Sequence, residues 1–239
     1  MSKKVCLIAG VGPGTGMECA SRFSKGGYQV AMLARDKERL NSLEKEIDDA
    51  HGYECDVSDL EQLVATLKQV ATDLGDPSVL IHNAVAGNLD GGGASRFMES
   101  DPARLERNFR VNTTSLLYMG RTLAPAMIEA GEGAIIVTGN TSSTRGSANF
   151  AYFAPTKAAQ RILAEAMARD LGPKGVHVAY ILVDAAIDTP RTRPIFAPEK
   201  PDDFFCKPSA IADEAYHVAH QDRSAWSFLV ELRPDIEKW

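Results

Sequence analysis

Short continuous apolar runs alternate along this chain with longer segments in which apolar residues recur every three or four positions. The runs are typical of strands buried on both faces of a parallel sheet, and the wider spacing is that of an amphipathic helix. The runs predict strands over 5–9, 28–33, 51–57, 78–81, 134–138, 176–183 and 228–232. The segments between them predict helices over 17–25, 37–50, 60–74, 101–127 (one long helix or two joined), 153–171 and 208–219, and the Pro- and charge-rich stretch 190–208 predicts a mobile loop. This alternation predicts a single doubly wound α/β domain over residues 1–239, with helices on both faces of a parallel sheet.

Charge and composition exclude several classes of function. The net charge of −6 over 239 residues argues against nucleic-acid binding, which relies on clustered Lys and Arg. The four cysteines form no C-x-x-C pair, and the apolar run after Met1 is too short for a signal peptide or a membrane span. A cytoplasmic protein with reduced thiols is therefore expected. His217 and His220 lie three apart without a third candidate ligand, so no metal site is predicted.

The first predicted strand runs into a glycine-rich turn, G-V-G-P-G-T-G over residues 10–16. Glycine suits a turn with positive φ and lets the backbone approach a pyrophosphate closely. The helix that follows presents unpaired N–H groups and a partial positive charge to phosphate. Such a motif is weak by itself, but its place between the first strand and the first helix is typical of dinucleotide binding. We therefore predict a dinucleotide site at Gly10, Gly12, Gly14, Thr15 and Gly16.

The turn resembles the T-G-x-x-x-G-x-G signature of the short-chain dehydrogenases/reductases, with Ala9 in place of the Thr. Further motifs of that family follow in order along the chain. They are Asp56-Val57 for the adenine-contacting D-V pair, His82-Asn83-Ala84 for N-N-A-G, Asn112 for the active-site Asn, and Ile187-Asp188-Thr189-Pro190 for the segment that touches the nicotinamide carboxamide. Each motif is short, but their common order and spacing are specific. The resemblance implies a Rossmann fold, a nicotinamide dinucleotide and hydride transfer between that cofactor and a carbonyl or alcohol.

The residues after the second predicted strand discriminate between NAD and NADP. A carboxylate there bonds the ribose 2′-OH of NAD, whereas an arginine pairs with the 2′-phosphate of NADP through charge-assisted hydrogen bonds. Ala34 is followed by Arg35, which favours NADP. A small backbone shift would bring Asp36 to the ribose instead, so NAD stays the alternative.

The catalytic positions depart from the pattern of the family that this chain resembles. In that family a Tyr gives or takes the proton of the substrate oxygen, and a Lys four residues later on the same helix face lowers the phenol pKa from about 10. Here Phe153, which carries no such proton, lies four before Lys157. Tyr152 is five before Lys157 and is rotated from it by roughly 140° on a helix. The place of the family's carbonyl-polarising Ser falls on Asn140, whose amide is able to donate to an oxygen.

Lys157 and Asn112 remain from the family's catalytic set, and the resemblance implies that Lys157 binds the nicotinamide ribose hydroxyls. Three outcomes stay open for the proton. Tyr152 swings in at a distorted helix start near Pro155, a bound water or Asp184 acts as the acid, or the protein binds its cofactor without turning over ordinary alcohols.

These patterns predict an NADP-preferring oxidoreductase with an atypical active site that acts on a small or medium-sized carbonyl or alcohol. The alternative is a catalytically silent dinucleotide-binding protein that senses redox state or scaffolds a partner, and the joint departure at Phe153 and Asn140 motivates it. The resemblance also implies a homodimer or homotetramer that pairs helices 101–127 and 153–171 across two-fold axes. No nucleic-acid or membrane partner is expected.

Overall fold

The computed structural model of the chain describes residues 3–87, 96–99, 101–196 and 199–236. The strands are β1 (Val5–Ala9), β2 (Gln29–Ala34), β3 (Ala50–Glu54), β4 (Pro77–His82), β5 (Gly133–Asn140), β6 (Val176–Val183), β7 (Ala186–Ile187), β8 (Phe205–Cys206) and β9 (Leu229–Leu232). The helices are α1 (Thr15–Lys25), α2 (Lys37–Glu46), α3 (Leu60–Leu74), α4 (Pro102–Phe109), α5 (Ser115–Ala130), α6 (Ala154–Leu171), α7 (Arg193–Phe196) and α8 (Pro208–Ala219).

Seven of these strands form one parallel sheet in the order β3-β2-β1-β4-β5-β6-β9. One face packs against α3, α5 and α6 through side chains such as Leu67, Met119 and Ala164. The other face packs against α1 and α8 through Phe23 and Ile211. Because helices cover both faces, all eight residues of β6 are buried, which explains why the strand is apolar apart from His177. The predicted doubly wound α/β fold is confirmed.

The order of the strands reverses between β1 and β4. The chain passes from β1 to β2 and β3 on one side, and returns to place β4, β5 and β6 on the other. In a parallel sheet the carboxyl ends of the strands lie at one edge, and a ligand crevice opens where the order reverses. The glycine-rich turn follows β1 at this point, so the fold places the predicted dinucleotide site at the expected edge.

Two segments differ from the sequence prediction, and a third takes one of its two predicted forms. The helix predicted over 37–50 ends at Glu46, because Asp49 adopts a left-handed φ of 54° and Ala50 already pairs in β3. The region 101–127 holds two helices joined by one turn of π-helix over Arg110–Thr114. The stretch predicted as a mobile loop contains α7 and the strand β8, whose partner is β7. Hydropathy along the chain does not detect such a short strand, because its partner lies far away in sequence.

Candidate functional site

The glycine-rich turn after β1 leaves no room for side chains at two of its positions. Gly10 has a φ of +92°, and a Cβ there would lie 2.6 Å from the backbone of Ala84. A Cβ on Gly16 would lie 2.3 Å from the carbonyl oxygen of Gly10. Asn83 Nδ2 donates to that same oxygen at 2.8 Å, which ties the end of β4 to the turn. Glycine is required at these two positions because backbone from two strand ends meets there.

The start of α1 offers donors to a phosphate. Gly14 is the N-cap residue, and it has no side chain to cap the helix. The Oγ1 atom of Thr15 is buried and makes no hydrogen bond to any residue that the structure describes. A buried hydroxyl without a partner is costly, and a helix N-terminus favours an anion. The turn therefore fits the diphosphate of a dinucleotide.

A cleft of about 760 Å³ lies over the turn, a volume within the range of small-molecule sites. All the cofactor residues predicted from the sequence apart from Lys157 line it: Gly10, Gly12, Gly14, Thr15, Gly16, Arg35, Asp56, Val57, Asn83, Ala84, Ile187 and Thr189. Sequence reasoning missed Arg39, Arg107 and Arg191, which line the same cleft. The spacing of Arg39, four residues after Arg35 at the start of a predicted helix, was an available signal.

Asp36 is held by the helix that follows it. Its carboxylate caps α2 by accepting a hydrogen bond from the Arg39 backbone N–H at 3.0 Å. It also pairs with the Arg39 guanidinium at 3.1 Å. Helix capping explains why an aspartate stands here, and it engages the carboxylate that the sequence offered as an alternative contact to the ribose.

Asp56 also lines the cleft, just after β3. Its carboxylate accepts hydrogen bonds from the Ser58 backbone N–H at 2.9 Å and hydroxyl at 2.7 Å. Partial burial acts to raise its pKa, but these bonds and the guanidinium groups of Arg35 and Arg107 hold the pKa below its ordinary value. The Asp56 carboxylate is therefore held in place by Ser58, near the guanidinium groups of Arg35 and Arg107.

Lys157 lies in the first turns of α6, one helical turn after Phe153. Its backbone N–H donates to the Phe153 carbonyl at 3.2 Å, which confirms the four-residue spacing on the helix. The side chain is 2% exposed, and Nζ donates to the Thr138 carbonyl at 3.1 Å. Burial lowers the pKa of this ammonium from 10.5 to about 7.

The two aromatic residues before Lys157 point to different neighbours. The Phe153 ring packs closely over Gly87 and contacts Phe150 edge-to-face, with 6.3 Å between ring centroids. Tyr152 is 1% exposed, and its ring lies 4.6 Å from the Arg104 guanidinium on α4. The structure thus places the Tyr152 ring against α4, and Phe153 is the aromatic residue one turn before Lys157.

Asn112 and Asn140 both use their side chains to hold backbone. Asn112 is buried in the π turn, where its Oδ1 accepts from the Ala86 N–H at 2.9 Å. Its Nδ2 donates to the Ala86 carbonyl and to Thr156 Oγ1, both at 2.8 Å. Asn140 ends β5, and its Oδ1 accepts from the Ser142 N–H at 3.2 Å. Asn112 therefore links the loop after β4 to α6, next to Lys157.

A second buried polar group lies behind Lys157. His82 Nε2 is 2.8 Å from Ser115 Oγ, and its Nδ1 is 3.2 Å from Gln160 Nε2. Because the Ser115 hydroxyl donates to the Val111 carbonyl at 2.6 Å, it accepts from His82, and the imidazole carries its proton on Nε2. Burial and the nearby Lys157 charge lower the pKa of His82 to about 3. The imidazole is therefore neutral.

The segment after β6 is held by ion pairs. Asp184 pairs with Arg233 at 3.6 Å, and its N–H donates to the Leu232 carbonyl on β9. Further on, Arg193 pairs with Asp188 through two hydrogen bonds of 2.7 and 2.8 Å and with Asp202 through one of 2.6 Å. Its guanidinium also lies 4.7 Å from the ring of Phe205 on β8. These contacts fold the segment back over the edge of the sheet.

Thr189 on this segment reaches the glycine turn. A Cβ built on Gly14 would lie 2.8 Å from its Cγ2 atom. The predicted nicotinamide segment, with Ile187 and Thr189, thus meets the predicted phosphate turn in one cleft. Over the part of the chain that the structure describes, no three His, Cys, Asp or Glu side chains come together in a way that would hold a metal ion. None of the helices in the described ranges is long and apolar enough to cross a membrane.

Dehydrogenases and a reductase from other organisms are 27–28% identical to this chain over most of its length. The 7alpha-hydroxysteroid dehydrogenase of Escherichia coli (strain K12) is 28% identical over 200 residues, which cover 82% of this chain and 76% of that protein. The D-xylose 1-dehydrogenase of Caulobacter vibrioides is also 28% identical, over 82% of this chain and 77% of its own. The L-xylulose reductase of Mus musculus is 27% identical over 173 residues, 72% of this chain and 67% of that protein.

Solved structures share the fold over almost the whole chain. The 3-ketoacyl-(acyl-carrier-protein) reductase from Brucella melitensis, complexed with NADH, has a TM-score of 0.85 and 26% identity over 98% of each chain. A metagenomic short-chain oxidoreductase in complex with NADP has a TM-score of 0.84 over 99% of each chain, and at 24% identity this likeness is one of fold. The family model described as short chain dehydrogenase matches residues 4–200, which include the glycine turn, the cleft and the Lys157 helix. The chain therefore belongs to the short chain dehydrogenase family of oxidoreductases.

Proposed function

We propose that this protein binds NADP(H) in the cleft over the glycine turn and transfers a hydride between the cofactor and a small carbonyl or alcohol. The carrying observation is that the cofactor residues predicted from the sequence, apart from Lys157, line one cleft where the strand order reverses. The reduced nicotinamide supplies the hydride when it is bound. The chain's own residues hold the diphosphate at the turn, with Thr15 Oγ1 as a donor, and Ile187 and Thr189 close over the nicotinamide end.

The preference for NADP rests on the wall of the cleft after β2. Arg35 and Arg39 both line the cleft there. Asp36, which would repel a 2′-phosphate and bond a ribose hydroxyl, is engaged in capping α2. Two guanidinium groups without a competing free carboxylate favour a phosphate. NAD stays the second cofactor, and related structures have been solved with NADP or with NADH.

Calorimetric titration with NADPH and, separately, NADH tests this proposal. We expect micromolar binding with NADPH tighter, and we expect Arg35→Leu to weaken NADPH by tenfold or more while leaving NADH nearly unchanged. Arg39→Leu should act in the same direction. Arg169→Leu is the matched control, because that arginine is exposed on α6, where it pairs with Glu165. Failure to bind either dinucleotide would end the oxidoreductase proposal for this chain.

The proposed catalytic roles of Lys157 and Asn140 come from the family resemblance, and that of Asn112 from its hydrogen bonds. Lys157 binds the nicotinamide ribose hydroxyls, Asn140 donates to the substrate oxygen, and Asn112 keeps α6 and the loop after β4 in register. Phe153 takes the place of the family's Tyr, so the active site is atypical. A panel of small aldehydes and ketones with NADPH consumption as the readout defines the substrate range.

A catalytically silent redox sensor or scaffold is the second candidate function. Phe153 beside Lys157 and the Tyr152 ring against Arg104 favour it, because neither aromatic residue places a phenol next to Lys157. A Phe153→Tyr variant that gains carbonyl reduction from an inactive parent would support this candidate. A Tyr152→Phe variant that loses existing activity would instead assign the proton to Tyr152.

We further propose a homo-oligomer in the cytoplasm. Exposed apolar side chains lie on the two helices that the resemblance pairs across two-fold axes, with Leu117 and Tyr118 on α5 and Ile162 on α6. Sedimentation of the protein and of an Ile162→Lys variant tests this, and we expect the variant to shift toward monomer. A parent protein that sediments as a monomer would contradict the pairing.

A further inference from the structure

The part of the cleft around the start of α1 is formed by two segments that are distant in sequence. One is the helix start itself, where Gly14 has no side chain to cap the helix and the buried Thr15 Oγ1 makes no hydrogen bond to a described residue. The other is the segment after β7, whose Thr189 Cγ2 atom lies 2.8 Å from the position of a Cβ on Gly14. Arg191 follows two residues later and lines the same cleft. A guanidinium group therefore shares the cleft with helix N–H groups and a hydroxyl that favour an anion.

The backbone at Arg191 is a tight, hydrogen-bonded turn. The Thr192 N–H donates to the Thr189 carbonyl at 3.1 Å and to Thr189 Oγ1 at 3.0 Å. Pro190 takes the second position of this turn, where its fixed φ is favourable, and Arg191 takes the third. The Arg193 N–H donates to the same Thr189 carbonyl at 2.9 Å. The exposed Arg191 side chain thus projects from a fixed turn whose first residue packs against the glycine turn.

The carboxylates near this end of the cleft are paired with other groups. Asp188, three residues before Arg191, accepts hydrogen bonds from Arg193 at 2.7 and 2.8 Å, one to each of its oxygens. These bonds hold the pKa of Asp188 below its ordinary value, so it is a carboxylate at neutral pH. Asp36, on the same cleft, pairs with the Arg39 guanidinium at 3.1 Å. A carboxylate that is paired in this way repels an incoming phosphate less than a free one does.

We propose that Arg191 is a further cofactor-binding residue, which holds the diphosphate from the segment after β7 together with the start of α1. This inference rests on the proposed function and deepens it. An arginine suits the role because its planar guanidinium bonds two phosphate oxygens at once. Under the proposed function Arg35 and Arg39 meet the 2′-phosphate, which distinguishes NADP from NAD. Arg191 instead recognises the diphosphate, which the two cofactors share.

Calorimetric titration of an Arg191→Met variant with NADPH and with NADH tests this difference. We expect the Kd to rise by about tenfold or more, and by the same factor for both cofactors, because one charge-assisted contact to a shared group is lost. Arg35→Leu in the same titrations should weaken NADPH alone. Arg191→Lys keeps the charge without the planar fork, so its loss should be smaller. Arg169→Met is the matched control: that arginine is exposed on α6, pairs with Glu165, and should leave both affinities as in the wild type.

Two fragments of the cofactor locate the contact. Adenosine 5′-diphosphate carries the diphosphate without a 2′-phosphate, and adenosine 2′-monophosphate carries the 2′-phosphate alone. We expect Arg191→Met to weaken the first and to leave the second unchanged. The thermal midpoint of the variant without ligand should stay close to that of the wild type, because Arg191 is exposed. A lower midpoint with equal losses for all four ligands would overturn the proposal, since the turn rather than a phosphate contact would then have been lost.

The remaining outcomes separate this inference from the proposed function. An Arg191→Met variant that binds NADPH and NADH as the wild type does overturns the inference and leaves the proposed function in place. A loss confined to NADPH and adenosine 2′-monophosphate also overturns it, and assigns Arg191 to the 2′-phosphate. A wild type that binds neither dinucleotide ends the proposed function. Adenosine 5′-diphosphate then decides the inference: binding that weakens in Arg191→Met supports a diphosphate site at this turn, and absence of binding overturns it.

Discussion

Replacing Lys157 with Met, which has a similar length and no charge, changes how stability depends on pH. In the folded chain burial holds the Lys157 pKa at about 7, whereas the ordinary value is 10.5. Between these two values the unfolded chain binds the proton and the folded chain does not. Because stability rises with pH wherever the unfolded state binds more protons, Lys157 makes the folded protein more stable as pH rises from 7 toward 10.

The magnitude follows from the two pKa values. The lysine lowers the free energy of unfolding by about 4 kcal/mol at pH 7 and by about 2 kcal/mol at pH 9, so about 2 kcal/mol is recovered between them. The Lys157→Met variant lacks this pH-dependent destabilisation. At pH 7 we expect the variant to have the higher free energy of unfolding, although loss of the hydrogen bond to Thr138 reduces the difference. At pH 9 we expect the difference to be smaller by about 2 kcal/mol.

Urea unfolding at pH 7, 8 and 9 under reducing conditions measures both proteins. The comparison must be made as a difference, because burial raises the pKa of Cys6 and Cys19 and thiolate formation in the unfolded chain lowers stability at alkaline pH. That effect is common to wild type and variant and cancels. A difference that stays constant from pH 7 to pH 9 would show that the Lys157 ammonium keeps its ordinary pKa, and the argument from burial would be refuted.

Gly16→Ala places a methyl group 2.3 Å from a main-chain oxygen of the glycine turn, so both NADPH affinity and the thermal midpoint should fall. Gly12→Ala meets no protein atom within 4 Å and should lower the affinity alone; equal midpoints in the two variants would contradict the packing argument. His82→Leu leaves two buried polar partners unsatisfied and should cost about 2 to 6 kcal/mol in urea unfolding, whereas wild-type stability would mean that the network contributes nothing. Arg193→Met releases Asp188 and should weaken NADPH binding several-fold in calorimetry with little change in thermal midpoint, since these ion pairs are partly exposed. Unchanged affinity would show that the cleft does not depend on this guanidinium.

The sequence was sufficient to predict the order of the strands and helices and a set of residues that line the cleft over the glycine turn. The predicted bounds of β6 and α8 agree with the structure, because a nearly continuous apolar run and an amphipathic repeat that starts at a proline are local signals. The cofactor residues predicted from the turn and the short motifs line one cleft. Parallel strands bring their carboxyl ends to one edge, so once the alternation of strands and helices is recognised, residues at those ends must lie close together.

The tertiary structure decided how each charged or aromatic side chain is used. From the sequence alone, the Asp36 carboxylate was able to bond a ribose. In the structure it caps α2 by accepting from the Arg39 backbone N–H. The helix spacing already rotated Tyr152 away from Lys157, and packing against Arg104 on α4 gave it a fixed place. The stretch after Pro190 gained order from ion pairs between residues that no hydropathy pattern links.

The sequence by itself determined the fold and the absence of a phenol one turn before Lys157, and it predicted the place at which a dinucleotide would bind. Periodicity, glycine at crowded backbone positions and helix spacing are properties of neighbouring residues, so they are readable from the chain. Only the tertiary structure decided that Lys157 is buried with a pKa of about 7 beside a neutral His82. A pKa depends on desolvation and on charges brought together from β4, β5 and α6, and that environment exists only once the sheet and its helices have assembled.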